Sequence, residues 1–136
     1  MKLSDAITKA NARASELQGL RLKSDDRSRL TASLFAIAQQ HQSAIILLLS
    51  NPQTLQASAF SLLRLLLEVT IRGVWVLHCA TEDQVRNVIE GNQKQLDTKS
   101  MFAAVEKALN KDSECNIAVT KLYDHWKVLS DLYAFV

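Results

Sequence analysis

Apolar residues recur along this chain in alternating steps of three and four, the period of a helix face. Residues 4–20 place Ala6, Ile7, Ala10, Ala14, Leu17 and Leu20 at that spacing, with Ser4 as the expected N-cap and Gly19 near the stop. In "LKSDDRSRL", Ser24 or Asp25 caps a second helix whose first turn carries acids, where the helix dipole favours them. From 26 to 50 its seam reads Leu30, Leu34, Ile37, His41, Ala44, Leu48. "SNPQT" breaks the chain, since Asn-Pro closes one element and Thr54 is placed to cap the next, predicting a third helix over about 55–79.

"CATEDQV" is a second break and restart: Thr81 and Gln84 have capping-box spacing, and Gly91 supplies the C-terminal stop of a short fourth helix. A fifth helix is marked by Met101 or Phe102, Val105, Ala108 and Leu109, opened by Thr98 or Ser100 and closed near Asn110. The last, from about 113, carries Ala118, Leu122, His125, Leu129, Leu132 and Val136 on one face.

The third helix breaks the amphipathic rule. Around Leu62 to Leu77 it is apolar on nearly every bearing, yet it holds Arg64, Glu68 and Arg72 at i, i+4, i+8 and His78 near its end. That spacing stacks the three charges as a ladder in which Glu68 can hold both guanidinium groups. The apolar surroundings predict burial of the ladder, and a buried ion network is a poor device for stability alone. Three readings stay open: a binding or catalytic site, a device that fixes pairing or dimer register, or a helix edge whose long stems lie on apolar surface while the heads reach water. A membrane span over 58–79 is disfavoured, because each central charge costs roughly 2.5 to 3.5 kcal/mol to insert.

Composition narrows the class. The chain has 136 residues, 48% hydrophobic and 22% charged, with three Gly and one Pro. That length suits one domain spanning 1–136, and so few turn formers exclude a barrel or sandwich of many short strands. A net charge of +2 with scattered basic residues gives no footprint for duplex nucleic acid. Cys79 and Cys115 lack CxxC spacing, which suits a reducing compartment, and the amphipathic N-terminus is no signal peptide, so a cytoplasmic protein is expected. The chain stops on "LYAFV" without cap or polar tail, which suggests that the natural C-terminus is missing or altered. Phosphate loops, nucleophile elbows and dinucleotide fingerprints are absent, and no cofactor is expected.

The histidines extend the candidate chemistry. His41 and His125 fall on the expected seams of two long helices, where they can converge with the ladder. A polar and aromatic pocket of His41, Arg64, Glu68, Arg72, Trp75 and His125, for a small ligand or a partner's chain, is the expected site. His41, His125 and Glu68 could in principle ligate a metal, but no ExxH or HExxH pair supports this, and none is expected. Trp75 and Trp126, with Phe35, Phe60, Phe102 and Tyr123, lie near other apolar residues and are expected mainly as ordinary core, so they add no independent support for a site. Arg72 to His78 spells R-G-V-W-V-L-H, an arginine and histidine separated by five residues. That match is short enough to arise by chance, and six helical steps leave the two side chains about 120° apart.

The stretch "SAFSLLRLLLEVTIRGVWVLHCAT", preceded by "HQSAIILLL", resembles a large uncharacterised family of bacterial helical proteins with an R-x-L-x-E-x-x-x-R-x-x-W core, here Arg64, Leu66, Glu68, Arg72 and Trp75. The likeness covers roughly residues 30–80. That group is similar to the HEPN class of helical bundles, found in toxin-antitoxin and phage-defence systems, many of which are metal-independent RNases. The resemblance implies that Arg72 and His78 match the R-x(4 to 6)-H signature. The arginine would steady charge on a scissile phosphate and the imidazole would act as general base or acid. It further implies a homodimer and a longer C-terminal portion. Gly73 departs from the pattern, which usually sets a polar residue directly after the arginine.

Together these readings predict an all-α, up-and-down bundle of five or six helices around a central helix at about 55–79. The expected role is a binding or interaction module from a mobile-element or defence context, homodimeric and not membrane-bound. The alternative is an RNase using Arg72 and His78, with RNA as partner.

Overall fold

The computed structural model describes residues 2–18, 24–53, 55–92, 97–111 and 118–134. Among them are six helices and no strand: α1 (Leu3–Gln18), α2 (Asp26–Ser50), α3 (Gln56–His78), α4 (Glu82–Glu90), α5 (Thr98–Asn110) and α6 (Val119–Ala134). The protein is an all-α helical bundle. Local chemistry sets most of the ends. Asp25 caps α2 by accepting from the Ser28 N–H. At α4 both halves of the Thr81 and Gln84 capping box are present, and Gly91 ends that helix at φ 72°, a left-handed backbone that glycine adopts without penalty. Elsewhere the expected caps differ. Leu3 precedes Ser4 in α1, and Asp97 rather than Thr98 or Ser100 flanks α5, with Ser100 Oγ donating to its carboxylate. Gly19, Leu20, Thr54, Cys115 and Val136 lie outside the described residues.

The dominant pairing is α2 against α3, an antiparallel hairpin closed around Asn51 and Pro52. Gly73 lets the two helices approach: a Cβ there would stand 2.7 Å from Cε1 of Phe35. The core gathers at the C-terminal half of α3, where Ile71, Trp75 and Val76 meet Val85 of α4, Met101, Phe102 and Val105 of α5 and Val119 of α6. Tyr123 joins Phe102 edge-on at 5.6 Å and stacks on Trp126 at 5.7 Å, geometries that aromatic quadrupoles favour. Arg27, in the first turn of α2, donates to the Val76 carbonyl and, through Nε and Nη2, to Glu82 at 3.2 and 2.7 Å. This contact ties the starts of α2 and α4 to the end of α3.

One seam departs from the expected one at a single position and another is rotated: α2 keeps Leu30, Leu34 and His41 toward its neighbours but not Ile37, while α6 turns by one residue. On α2 the buried positions are Thr31 and Ala38, and Ile37 faces outward. Both are apolar neighbours in sequence, and the tight approach of α3 selects the smaller one. On α6 the inward face runs through Val119, Tyr123 and Trp126, one position on from Ala118, Leu122 and His125, which are exposed. The aromatic pair has more apolar surface to bury than Leu122 and His125, and it decides the rotation.

Away from this core the α2 and α3 hairpin forms an uncharged arm. Residues 30–63 contain no Asp, Glu, Lys or Arg. Leu47 (73% exposed) and Phe60 (53% exposed) lie on its surface with Ile37, Leu55 and Leu63. Among the described residues, the helix long and apolar enough to cross a membrane, by length and composition alone, is α2 and not the charged α3.

Candidate functional site

The ladder on α3 forms as its spacing dictates. Glu68 accepts from Nη1 of Arg64 at 3.3 Å through Oε2 and from Nη2 of Arg72 at 3.4 Å through Oε1. The expected burial is not reached: the three side chains keep between 27% and 30% of their surface exposed. The stems lie along apolar neighbours while the heads open outward, because α5 and α6 cover the C-terminal half of α3 and leave this side uncovered.

Two of the three, Glu68 and Arg72, border a cleft between α2 and α3, while Arg64 stands outside its lining. The cleft has a volume of about 170 Å³ and is lined by Leu34, His41, Leu65, Glu68, Val69 and Arg72. His41 is half-buried and enters from α2, so the cleft joins a titratable ring from one helix to an ion pair on the other. The apolar walls come from residues that in sequence are indistinguishable from core leucines and valines.

Other candidate residues stand elsewhere. Trp75 is buried in the core cluster. His125 is exposed on α6, on the outward face created by the rotated seam. Arg72 and His78 share one uninterrupted helix, with Arg72 turned to Glu68 and His78 exposed in the last turn of α3. Within one chain these two side chains do not converge. The glycine after Arg72 has a packing reason in the Phe35 ring that crosses it.

Chemically the cleft is rich in donors. A guanidinium carries five N–H groups, and each arginine of the ladder spends one on Glu68, whose two oxygens are both engaged. Among the described residues no group of three or more His, Cys, Asp or Glu is placed to hold a metal ion. Cys79 lies outside the cleft, and its Sγ donates to the Ala104 carbonyl at 3.5 Å. Burial raises its pKa, which disfavours a thiolate nucleophile. The Arg27 and Glu82 contact, and a second between Glu106 and Thr120, carry no sequence signal, since nothing in their local spacing points to a partner 55 or 14 residues away.

Fold and site thus define an all-helical protein with a small, donor-rich cleft between its two longest helices. Residues 35–131 match a family of unknown function (DUF6988), and the chain belongs to that family. No curated protein and no solved structure matches the chain.

Proposed function

We propose that this protein is a binding module whose α2 and α3 cleft receives a small ligand or a single side chain of a partner. The supporting observation is the convergence of His41 with Glu68 and Arg72 between walls of Leu34, Leu65 and Val69. Apolar walls with a few polar groups are the usual composition of a recognition site. At about 170 Å³ the space is below the roughly 300 to 1,000 Å³ of drug-sized sites, which fits a fragment or side chain. The test is a thermal-shift screen of small molecules on the wild type, His41→Ala and Arg72→Ala. A ligand at 100 times its Kd adds about 2.7 kcal/mol of stability, several degrees in Tm, expected in the wild type and lost in both variants. Equal shifts in all three would place binding elsewhere and defeat the reading.

A second reading is the HEPN-like RNase of a bacterial defence or mobile-element system, with Arg72 and His78 as its acting pair. It is favoured by the surface access of both side chains and disfavoured by their divergence along α3. A second copy would have to bring one toward the other. Cleavage of a mixed RNA pool in EDTA, lost in Arg72→Ala and His78→Ala while circular dichroism stays unchanged, would establish it and displace the non-catalytic reading.

We also infer a homodimer joined through the uncharged arm. An isologous interface sets one patch against itself, and a patch without charges meets its copy without like-charge repulsion. A lipid surface is disfavoured by the run Gln39, Gln40, His41, Gln42 at the middle of α2. Sedimentation velocity should give a dimer that Leu47→Glu or Phe60→Glu converts to a folded monomer. A wild-type monomer would reject it, and co-sedimentation with lipid vesicles lost in the same variants would assign the arm to a membrane instead.

A further inference from the structure

We propose that the cleft between α2 and α3 selects an oxyanion, a carboxylate or a phosphate, carried on a short apolar body. The inference rests on the cleft being a binding site and adds the chemical class of what enters it. Three observations lead there.

The first is charge. Of the charged side chains lining the cleft, Glu68 is paired with Arg72 beside it and with Arg64 outside the lining, so its charge is already met twice while Arg72 has only that one partner. A cationic ligand would have to compete with Arg64 and Arg72 for Glu68, whose Oε1 and Oε2 are each already engaged.

The second is the imbalance of donors. Arg72 uses Nη2 on Glu68 at 3.4 Å, a long contact, and its remaining N–H groups are available for the parallel two-point geometry that guanidinium offers to carboxylate and phosphate. His41, on the facing helix, can supply an additional N–H from across the cleft. An anion held between the two would be bonded from both walls, which a neutral alcohol or amide could not match.

The third is size and lining. About 170 Å³ is near the volume of five or six liquid waters at roughly 30 Å³ each, enough for a one-ring or short-chain molecule. Leu34, Leu65 and Val69 offer that body an apolar wall next to the polar end. A bare ion would leave this wall wet.

The experiment uses the full chain and four probes of matched size: benzoate, phenyl phosphate, benzyl alcohol and benzylammonium, with inorganic phosphate as a fifth. Binding is read by calorimetry and by the NMR signals of the His41 ring and the Arg72 Nε–H group. Benzoate or phenyl phosphate should bind and move both signals, with the alcohol weaker by about tenfold or more, the loss of a charge-assisted two-point contact. The relative affinity of benzoate and phenyl phosphate then tells the two oxyanion sources apart. Arg72→Lys, which keeps the charge but not the fork, should weaken the anions several-fold. Glu68→Gln should tighten them several-fold, because it removes the competing carboxylate; a ladder that only props the helix would give no such gain. If the alcohol or the ammonium binds as well as the anions at these same signals, the oxyanion class is wrong while the cleft remains a binding site. If inorganic phosphate binds as tightly as phenyl phosphate, the apolar body is wrong. If no probe moves either signal at millimolar concentration, both the class and the binding reading fall.

Discussion

The ring of Phe35 on α2 occupies the space that a side chain at position 73 of α3 would need, with Cε1 2.7 Å from the position of a Cβ. Gly73 is buried at this crossing, inside a helix, where glycine otherwise costs about 1 kcal/mol relative to alanine. Its presence is therefore explained by the approach of the two helices. Gly73→Ala should lower stability by up to about 2 kcal/mol, the overpacking cost of about 1 to 3 kcal/mol less the helix gain of about 1 kcal/mol. In a Phe35→Leu background the same change should become neutral or stabilising. Urea denaturation of the four combinations reads the coupling, and an unchanged effect of Gly73→Ala in both backgrounds would show that Phe35 is not the obstacle.

The ladder should matter little to stability. Its members are about 30% exposed, so each i, i+4 pair is worth about 0.3 to 0.5 kcal/mol. Replacing Arg64, Glu68 and Arg72 together by leucine and methionine should leave a cooperatively folded protein within about 1 kcal/mol of the wild type. A loss of about 3 kcal/mol or more would mean that the three form a fully desolvated network. Stability kept while benzoate binding is lost would separate the site from the scaffold.

Arg27 holds three elements at once, donating to the Val76 carbonyl at the end of α3 and to Glu82 at the start of α4. Arg27→Met keeps much of the stem packing and removes the donors. It should cost about 1 to 2 kcal/mol, most of it from the part-buried carbonyl, since Glu82 is largely exposed and screened. Glu82→Gln should cost well under half of that. Similar losses from both variants, by chemical denaturation, would assign the stability to the ion pair instead.

Glu106 reaches from α5 to the first turn of α6, where its Oε2 accepts from the Thr120 N–H and hydroxyl, each at 2.7 Å. These bonds, the backbone one first, hold its carboxyl below the ordinary glutamate range. A carboxyl whose folded value lies below its unfolded value stabilises the fold at neutral pH, and that contribution fades as pH falls through the ordinary range toward the folded value. The Tm of the wild type should therefore drop more steeply in acid than that of Glu106→Gln, whose amide oxygen can still accept but does not titrate. Parallel Tm profiles between neutral pH and pH 3 would show that this contact does not contribute.

Much of the architecture was legible along the chain because it depends on neighbours in sequence. Asp25, Thr81 with Gln84, and Gly91 act within one turn of where they sit, so the ends of α2 and α4 could be read from local hydrogen-bond chemistry. The ladder was legible for the same reason, since i, i+4 partners meet on any helix. That three polar side chains, His41, Glu68 and Arg72, gather at one cleft followed from the seam of α2 facing α3.

What the tertiary structure alone decided is which of two adjacent positions turns inward, and what covers what. A helical period of 3.6 leaves Ile37 and Ala38, or Leu122 and Tyr123, as near-equal claimants to one face; the choice fell to the close α2 and α3 crossing and to the aromatic cluster around Phe102. That rotation carried His125 away from the cleft. The half-exposure of the ladder, the obstruction at Gly73 and the grip of Arg27 on Val76 and Glu82 all depend on where another helix lies. Such contacts come from side chains far apart in the chain, and no local spacing encodes them.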